Sequence, residues 1–183
     1  MMRTRLFAAV AAIALLSGTS ACNEADVPET SSVETGQSIS GSLGDIEGME
    51  TANDLIKRAG LEQMLEGEAA YTLFLPNDQA FAKLPEAELD WLRSEEGRPD
   101  LIALLRHHMV PGTVAQSDLE TTLSESGGTV DLANLANSTL PLRRDGSTIV
   151  IGDDAAGPVV SLPAHSASNG MVYEISALIP PES

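Results

Sequence analysis

An α+β domain, rich in helices in its first half and in strands in its second, is the fold class this sequence predicts. Apolar residues recur at helical spacing from about residue 51 to 108, and the period shortens to that of strands after residue 138. Between two of the later runs stands Asp145-Gly146, a pair that favours a tight hairpin turn. Helices and strands that segregate along the chain argue against a wound parallel sheet, and no repeat with a period of about 20 to 50 residues is present.

The elements follow in order. Residues 51–67, TANDLIKRAGLEQMLEG, place Leu55, Ala59, Leu61, Met64 and Leu65 at helical spacing, with Gly60 dividing two short helices and Gly67 closing the second. Residues 70–75, AYTLFL, are a short apolar run of β-formers stopped by Pro76, which reads as a buried strand entering a turn. Asn77 or Asp78 then supplies the acceptor that caps a short helix carrying Ala80, Phe81 and Leu84 on one face. After Pro85, residues 86–92 start another helix with Glu86 and Glu88 at the favourable end of its dipole. Pro99 fits a first helical turn, and Leu101, Leu104, Leu105 and His108 line one stripe of the helix that Val110-Pro111-Gly112 ends. Residues 138–143 and 147–151 are the hairpin strands, residues 158–162 and 171–175 are two more, and Ser168-Asn169-Gly170 leads into the last.

The 183 residues extend beyond this domain. Arg3 and Arg5, the apolar run LFAAVAAIALL and the small residues of SGTSA form the three regions of a bacterial-type export signal over residues 1–21. Eleven apolar residues reach only about 17 Å as a helix, short of the ~30 Å hydrocarbon layer, so the run is not a permanent span. Cys22, the single cysteine, follows at once. The segment LLSGTSAC resembles a lipobox, with Thr19 where leucine is usual, and implies a lipid-modified Cys22. The alternative is ordinary cleavage after Ala21. Residues 22–44, rich in Glu, Ser, Thr and Gly and free of Lys and Arg, read as a solvated tether, which leaves residues 45–183 as the domain.

With 10 basic and 27 acidic residues the net charge is −17, so nucleic acid is excluded as the main partner. Removing residues 1–21 leaves 8 basic and 27 acidic residues, a net charge of −19 that belongs to the exported chain. One cysteine excludes an internal disulfide, a CxxC pair and a cysteine-based zinc site.

Three segments resemble the motifs of fasciclin-like domains. YTLFLPNDQAFAKLP, residues 71–85, is similar to the family's first motif; LLRHHMVPG, residues 104–112, to its central Tyr-His segment and following Val-Pro-Gly; NGMVYEISALIP, residues 169–180, to its C-terminal motif. They stand in the family's order and spacing over residues 42–181. The resemblance implies a compact α+β wedge of two β-sheets with helices packed around it, and a secreted or surface-anchored binding and adhesion module that is not an enzyme. It singles out Asn77, Asp78, Phe81, His107, His108, Pro111, Gly112, Asn169 and Gly170 as structural or binding residues of the motifs. His107 stands at the family's Tyr position.

Other chemistry is weakly signalled. His107 and His108 point about 100° apart on a helix and do not share one metal easily; His108, on the leucine stripe, reads as a core histidine satisfied by backbone, and His107 as the tolerant neighbour. Asp153-Asp154, with Asp145 across the hairpin, form at most a weak cation site, since no calcium-loop spacing is present. Ser161, Ser166 and Ser168 lie near His165 in sequence, but no G-x-S-x-G elbow accompanies them. Arg143-Arg144 reads as a hairpin edge that discourages strand addition. The expectation is an acylated, non-enzymatic module of the cell envelope, at the outer membrane and facing periplasm or cell surface. It meets the membrane through its lipid anchor only, needs no cofactor, and binds an envelope or extracellular protein or glycan. An envelope enzyme, a small-ligand carrier and a self-associating structural lipoprotein are the alternatives.

Overall fold

The computed structural model describes residues 33–34, 36–153 and 156–179. The export signal and Cys22 lie outside them. The first element is β1 (Val33–Glu34), and six helices and two strands follow: α1 (Ile39–Ser42), α2 (Glu50–Ala59), α3 (Glu62–Glu66), β2 (Tyr71–Pro76), α4 (Asp78–Phe81), α5 (Glu86–Arg93), α6 (Arg98–His107) and β3 (Met109–Pro111). The second half holds α7 (Gln116–Glu125) and six strands, β4 (Thr129–Ala133), β5 (Thr139–Asp145), β6 (Thr148–Ile151), β7 (Val159–Val160), β8 (His165–Ala167) and β9 (Gly170–Ile175). The fold is α+β, as the segregation of periods implies.

Gly60 ends α2 at φ +75°, and its N–H reaches the carbonyls of Ile56 and Lys57. Only a residue without Cβ adopts that conformation at little cost, which is why the helical pattern breaks there. The buried face of α2 is Ala52, Leu55, Ile56 and Ala59, the i, i+3, i+4, i+7 set of an amphipathic helix. The β5–β6 hairpin turns where Asp-Gly predicts, with Asp145 opposite Thr148 and Gly146 at φ +62°.

At the centre β2 and β9 run parallel, Tyr71 opposite Gly170 through Pro76 opposite Ile175. Such a pair is buried on both faces, and its sequence is largely apolar, interrupted by Thr72 and Glu174. Alternation then assigns each side chain to one of two cores. Leu73, Leu75 and Val172 face the helices α1 to α6; Phe74, Met171, Tyr173 and Ile175 face the second core with α7 and the β5–β6 hairpin. Phe74 and Tyr173 stack at 5.0 Å between ring centroids. The two sheets of the expected wedge are joined: β4–β5–β6–β7 meets β9 through one register pair, Val160 opposite Ile175, on the edge of β9 that also carries β8, while β2 runs along the opposite edge.

Several expectations are corrected. The tether does not run to residue 44: Ile39 and Leu43 are buried in the first core, and the backbone N–H of Ile39 donates to Asn169 Oδ1 at 2.8 Å. A four-residue helix between Gly and Ser residues carries too little periodicity to be seen in the sequence. Strands β3, β4 and β8 and helix α7 also went unread, because they are short or only half buried. Arg143 and Arg144 are not at an edge, since β5 pairs with β4 on one side and β6 on the other. Buried atoms of both guanidinium groups, Arg143 Nε and Nη2 and Arg144 Nε, lack a hydrogen-bond partner among the described residues.

The burial of α1 makes a direct prediction. A chain starting at residue 45 loses Ile39 and Leu43 from the core, and at about 2 to 5 kcal/mol for each large side chain removed this consumes most of the ~5 to 15 kcal/mol that stabilises a domain. Thermal melts should show it far less stable than a chain starting at residue 36, and equal melting temperatures would show α1 to be dispensable.

Candidate functional site

The motif residues gather at three junctions of the central pair. At the first, Asn77 caps α4 by accepting from Ala80 N–H at 3.0 Å, as a residue before the Ala-Phe pair should. Asp78 does something the sequence does not disclose. Its carboxylate accepts from Thr51 N–H at 2.8 Å and its own N–H donates to the carbonyl of Gly48, so it caps α2, whose own N-cap residue Met49 supplies no side-chain acceptor. Burial works to raise the Asp78 carboxyl, but hydrogen bonding with Glu50 and Thr51 outweighs it and holds it below the usual carboxylate range. Phe81 is buried in the first core.

The second junction is the turn before β9. Asn169 Oδ1 accepts from Ile39 N–H, and its amide donates to the carbonyls of Leu65 and Gly67, both at 2.8 Å. Gly170 sits at φ +152°, and a Cβ there would stand 1.8 Å from the carbonyl oxygen of Tyr71. Asn and Gly are both required, for hydrogen bonding and for space.

The third junction, at the C-terminus of α6, is the candidate site. His108 is 1% exposed. Its Nδ1 lies 2.8 Å from the Leu104 carbonyl and its Nε2 accepts from Ile179 N–H at 3.0 Å, which fixes the neutral ring with its proton on Nδ1. Burial pushes its pKa down to about 4, against the raising effect of the Leu104 carbonyl and with the neighbouring His107 lowering it further. Pro111 is exposed at the end of β3, and Gly112 follows at φ +90° with its carbonyl accepting from Thr72 Oγ1 at 2.8 Å.

His107 is not the tolerant neighbour that helical geometry implies. It is 4% exposed, covered by the β4–β5 turn. Asn134 Oδ1 accepts from the N–H groups of Ala136 and Ser138, which turns its amide donor toward the imidazole: Asn134 Nδ2 is 3.1 Å from His107 Nδ1 and 3.2 Å from the His107 carbonyl. Ser138 Oγ lies 3.2 Å from the same ring nitrogen. Sequence reasoning missed Asn134 and Ser138. The cluster Asn134, Asn137 and Ser138 between two apolar runs was a turn signal that had been available.

The remaining candidates do not assemble. Asp145 and Asp153 stand at opposite ends of β6, roughly 13 Å of strand apart, and Asp154 lies outside the described residues. His165 lies 3.1 Å from Glu174 Oε1, an ion pair when the ring is protonated, and stands apart from the two adjacent histidines in the fold. Among the described residues no group of three or more His, Cys, Asp or Glu is placed to hold a metal ion.

Two parallel strands at the heart of a mixed sheet, six helices on one face and α7 on the other, and an Asn-Gly clasp opposite a capped Pro-Asn-Asp turn define a fasciclin-type α+β domain. The Fasciclin domain family model matches residues 47–181, and the chain belongs to that family. It is 30% identical to Protein sll1483 of Synechocystis over 96% of its own length and 94% of that protein's. It is also 28% identical to pig transforming growth factor-beta-induced protein ig-h3, over 73% of this chain but 18% of that one. The fold is similar to that of the FAS1 domain pair from the insect cell adhesion molecule Fasciclin I, with a TM-score of 0.65 and 20% identity over 79% of this chain and 51% of that one. These comparisons agree with the family the motifs suggested.

Two predictions come from the histidines. His108→Ala removes packing and leaves the Ile179 N–H and Leu104 carbonyl unpaired, costing ~2 to 4 kcal/mol, while His107→Ala strands the Asn134 amide and costs about 1 to 3. At roughly 2 to 4 °C per kcal/mol both melting temperatures should fall measurably, and an unchanged His107→Ala melt would place that ring outside the packing. The second concerns acid. The folded pKa of His108 lies below the unfolded value of 6.5. The unfolded chain therefore binds the extra proton, and stability present above pH 6.5 is lost as pH falls toward about 4. The loss, about 3 kcal/mol at most, should be missing from His108→Gln when denaturant midpoints are compared at pH 7 and pH 4.5.

Proposed function

We propose that the protein is a non-enzymatic binding and adhesion module of the cell envelope, exported by its N-terminal signal and held at the membrane by lipid on Cys22. One observation carries the reading of the domain: four polar residues of the family motifs are committed to the scaffold. Asp78, His108 and Asn169 bond to backbone groups of other segments, Asn77 caps its own helix, and Gly112 and Gly170 meet backbone constraints. Groups committed in this way shape a surface and are not free to carry protons or attack a substrate. The adhesion role of Fasciclin I, a fold relative, fits this reading.

The anchor rests on the sequence. Cys22 follows an export signal and is the chain's one thiol. At ~0.8 kcal/mol per buried CH₂, two or more acyl chains give stable attachment. Among the described residues no helix is long and apolar enough to cross a membrane. The strongly acidic exported chain favours a neutral or cationic partner in the envelope, protein or glycan, and repels an anionic one.

Metabolic labelling with a fatty-acid probe should mark the wild type and leave Cys22→Ser unmarked. Equal labelling of the two removes the anchor. Cross-linking from intact cells should recover one reproducible envelope protein or glycan; turnover of a small molecule with no such partner would favour an enzyme on the same fold.

A further inference from the structure

A pocket of about 230 Å³ opens beside His107, between β5, the loop after β6 and the chain near Ile179. Its walls include Pro141, Ile151, Pro158 and Ile179, which are apolar, and its polar groups include His107, Asp153 and Thr139. The volume is below the ~300 Å³ at which drug-sized sites begin, so the occupant is a fragment or a single side chain.

The imidazole decides what that occupant must offer. Asn134 turns N–H donors toward Nδ1, so this nitrogen is the acceptor and the neutral ring carries its proton on Nε2. Nε2–H makes no hydrogen bond with any described residue, although His107 is 4% exposed and lines the pocket. Nε2 is not one of the buried polar atoms left without a partner, so solvent reaches it, and an acceptor brought by a ligand competes with water for its N–H. The apolar walls take an aliphatic body. The Asp153 carboxylate selects for positive charge on the ligand and against negative charge.

We propose that this pocket binds small aliphatic amides bearing an ammonium group, with the amide carbonyl accepting from His107 Nε2–H, the aliphatic part against Pro141, Ile151, Pro158 and Ile179, and the ammonium toward Asp153. The site is independent of the adhesion reading. It uses the residue at the family's Tyr position, where the imidazole supplies a ring N–H. The carbonyl oxygen receives the hydrogen bond, and no covalent bond forms or breaks.

The test uses three probes of one shape and different charge: L-leucinamide, 4-methylpentanamide and 4-methylpentanoate. The chain has 3 histidines, so the His107 ring signals in a carbon–proton NMR spectrum are assigned by single substitution. Leucinamide should shift them saturably with a dissociation constant of about 1 to 10 mM, as suits so small a ligand. The neutral amide should bind about two- to fivefold more weakly, and the carboxylate more weakly still. Asp153→Asn should bring leucinamide down to the level of the neutral amide. Thr139→Trp, at an exposed rim position, should block all binding while the fold, read from the remaining spectrum, is kept; if it unfolds the protein, the probe ranking and Asp153→Asn decide alone. His107 signals that stay fixed in leucinamide, equal affinity for the three probes, or binding that survives in a folded Thr139→Trp protein would each overturn the proposal.

Discussion

The carboxamide of Asn169 holds together parts of the chain that no local rule brings near each other. One oxygen takes the N–H of Ile39 and one nitrogen reaches the carbonyls of Leu65 and Gly67, while the backbone carbonyl of the same residue accepts from Tyr71 N–H. Three segments of the first half are thereby pinned to the turn that starts β9. Gly170 completes the constraint, because the Tyr71 carbonyl occupies the space a Cβ would need. With that end fixed, β2 and β9 can pair only in the register that sends Leu73 and Leu75 to one core and Phe74 to the other. A slip of one residue would exchange the two faces and place each side chain in the wrong core.

Around this junction charge contributes little to cohesion. Asp54 meets Arg58 and Arg93 at 2.9 and 3.7 Å, in pairs more than a third exposed, and such pairs are weak. Apolar burial and backbone hydrogen bonds taken up by side chains hold the fold instead. Thr72 shows the pattern: fully buried, it donates to the Gly112 carbonyl and accepts from Val114 N–H, so one hydroxyl closes the turn after β3. The acidic surface is then free to set solubility and the choice of partner.

How much of this was legible in the sequence depended on distance along the chain. Gly60, Asn77 and Asp145-Gly146 act within four residues of themselves, and their roles could be read directly. Asn169 could be recognised as important through the resemblance, but its partners lie 102 to 130 residues away. His107 illustrates the limit more sharply. Its angle on α6 said that it turns away from His108, which is true, and that it faces solvent, which is not, because a turn 27 residues later closes over it. The same holds for α1, whose short apolar pair sits in linker-like sequence and is fixed only by tertiary contacts. Family resemblance recovered the architecture where periodicity was silent, and it did not supply the Asn134–His107 contact.

The placement of α1 has a mechanical consequence. Force applied through the chain ahead of residue 33 enters the folded body at β1, which pairs with β8, and next at α1, where Ile39 is buried and its N–H is bonded to Asn169. That bond leads directly to the start of β9, the strand that borders β2, β7 and β8. A pull on the N-terminal side is thus shared at once with the central ladder through a buried hydrogen bond and two buried side chains, whereas a domain suspended from a loose surface loop would peel open from its edge. The join between the two halves of the sheet, with its single register pair, lies at Ile175, the end of β9 away from Asn169 where that load enters.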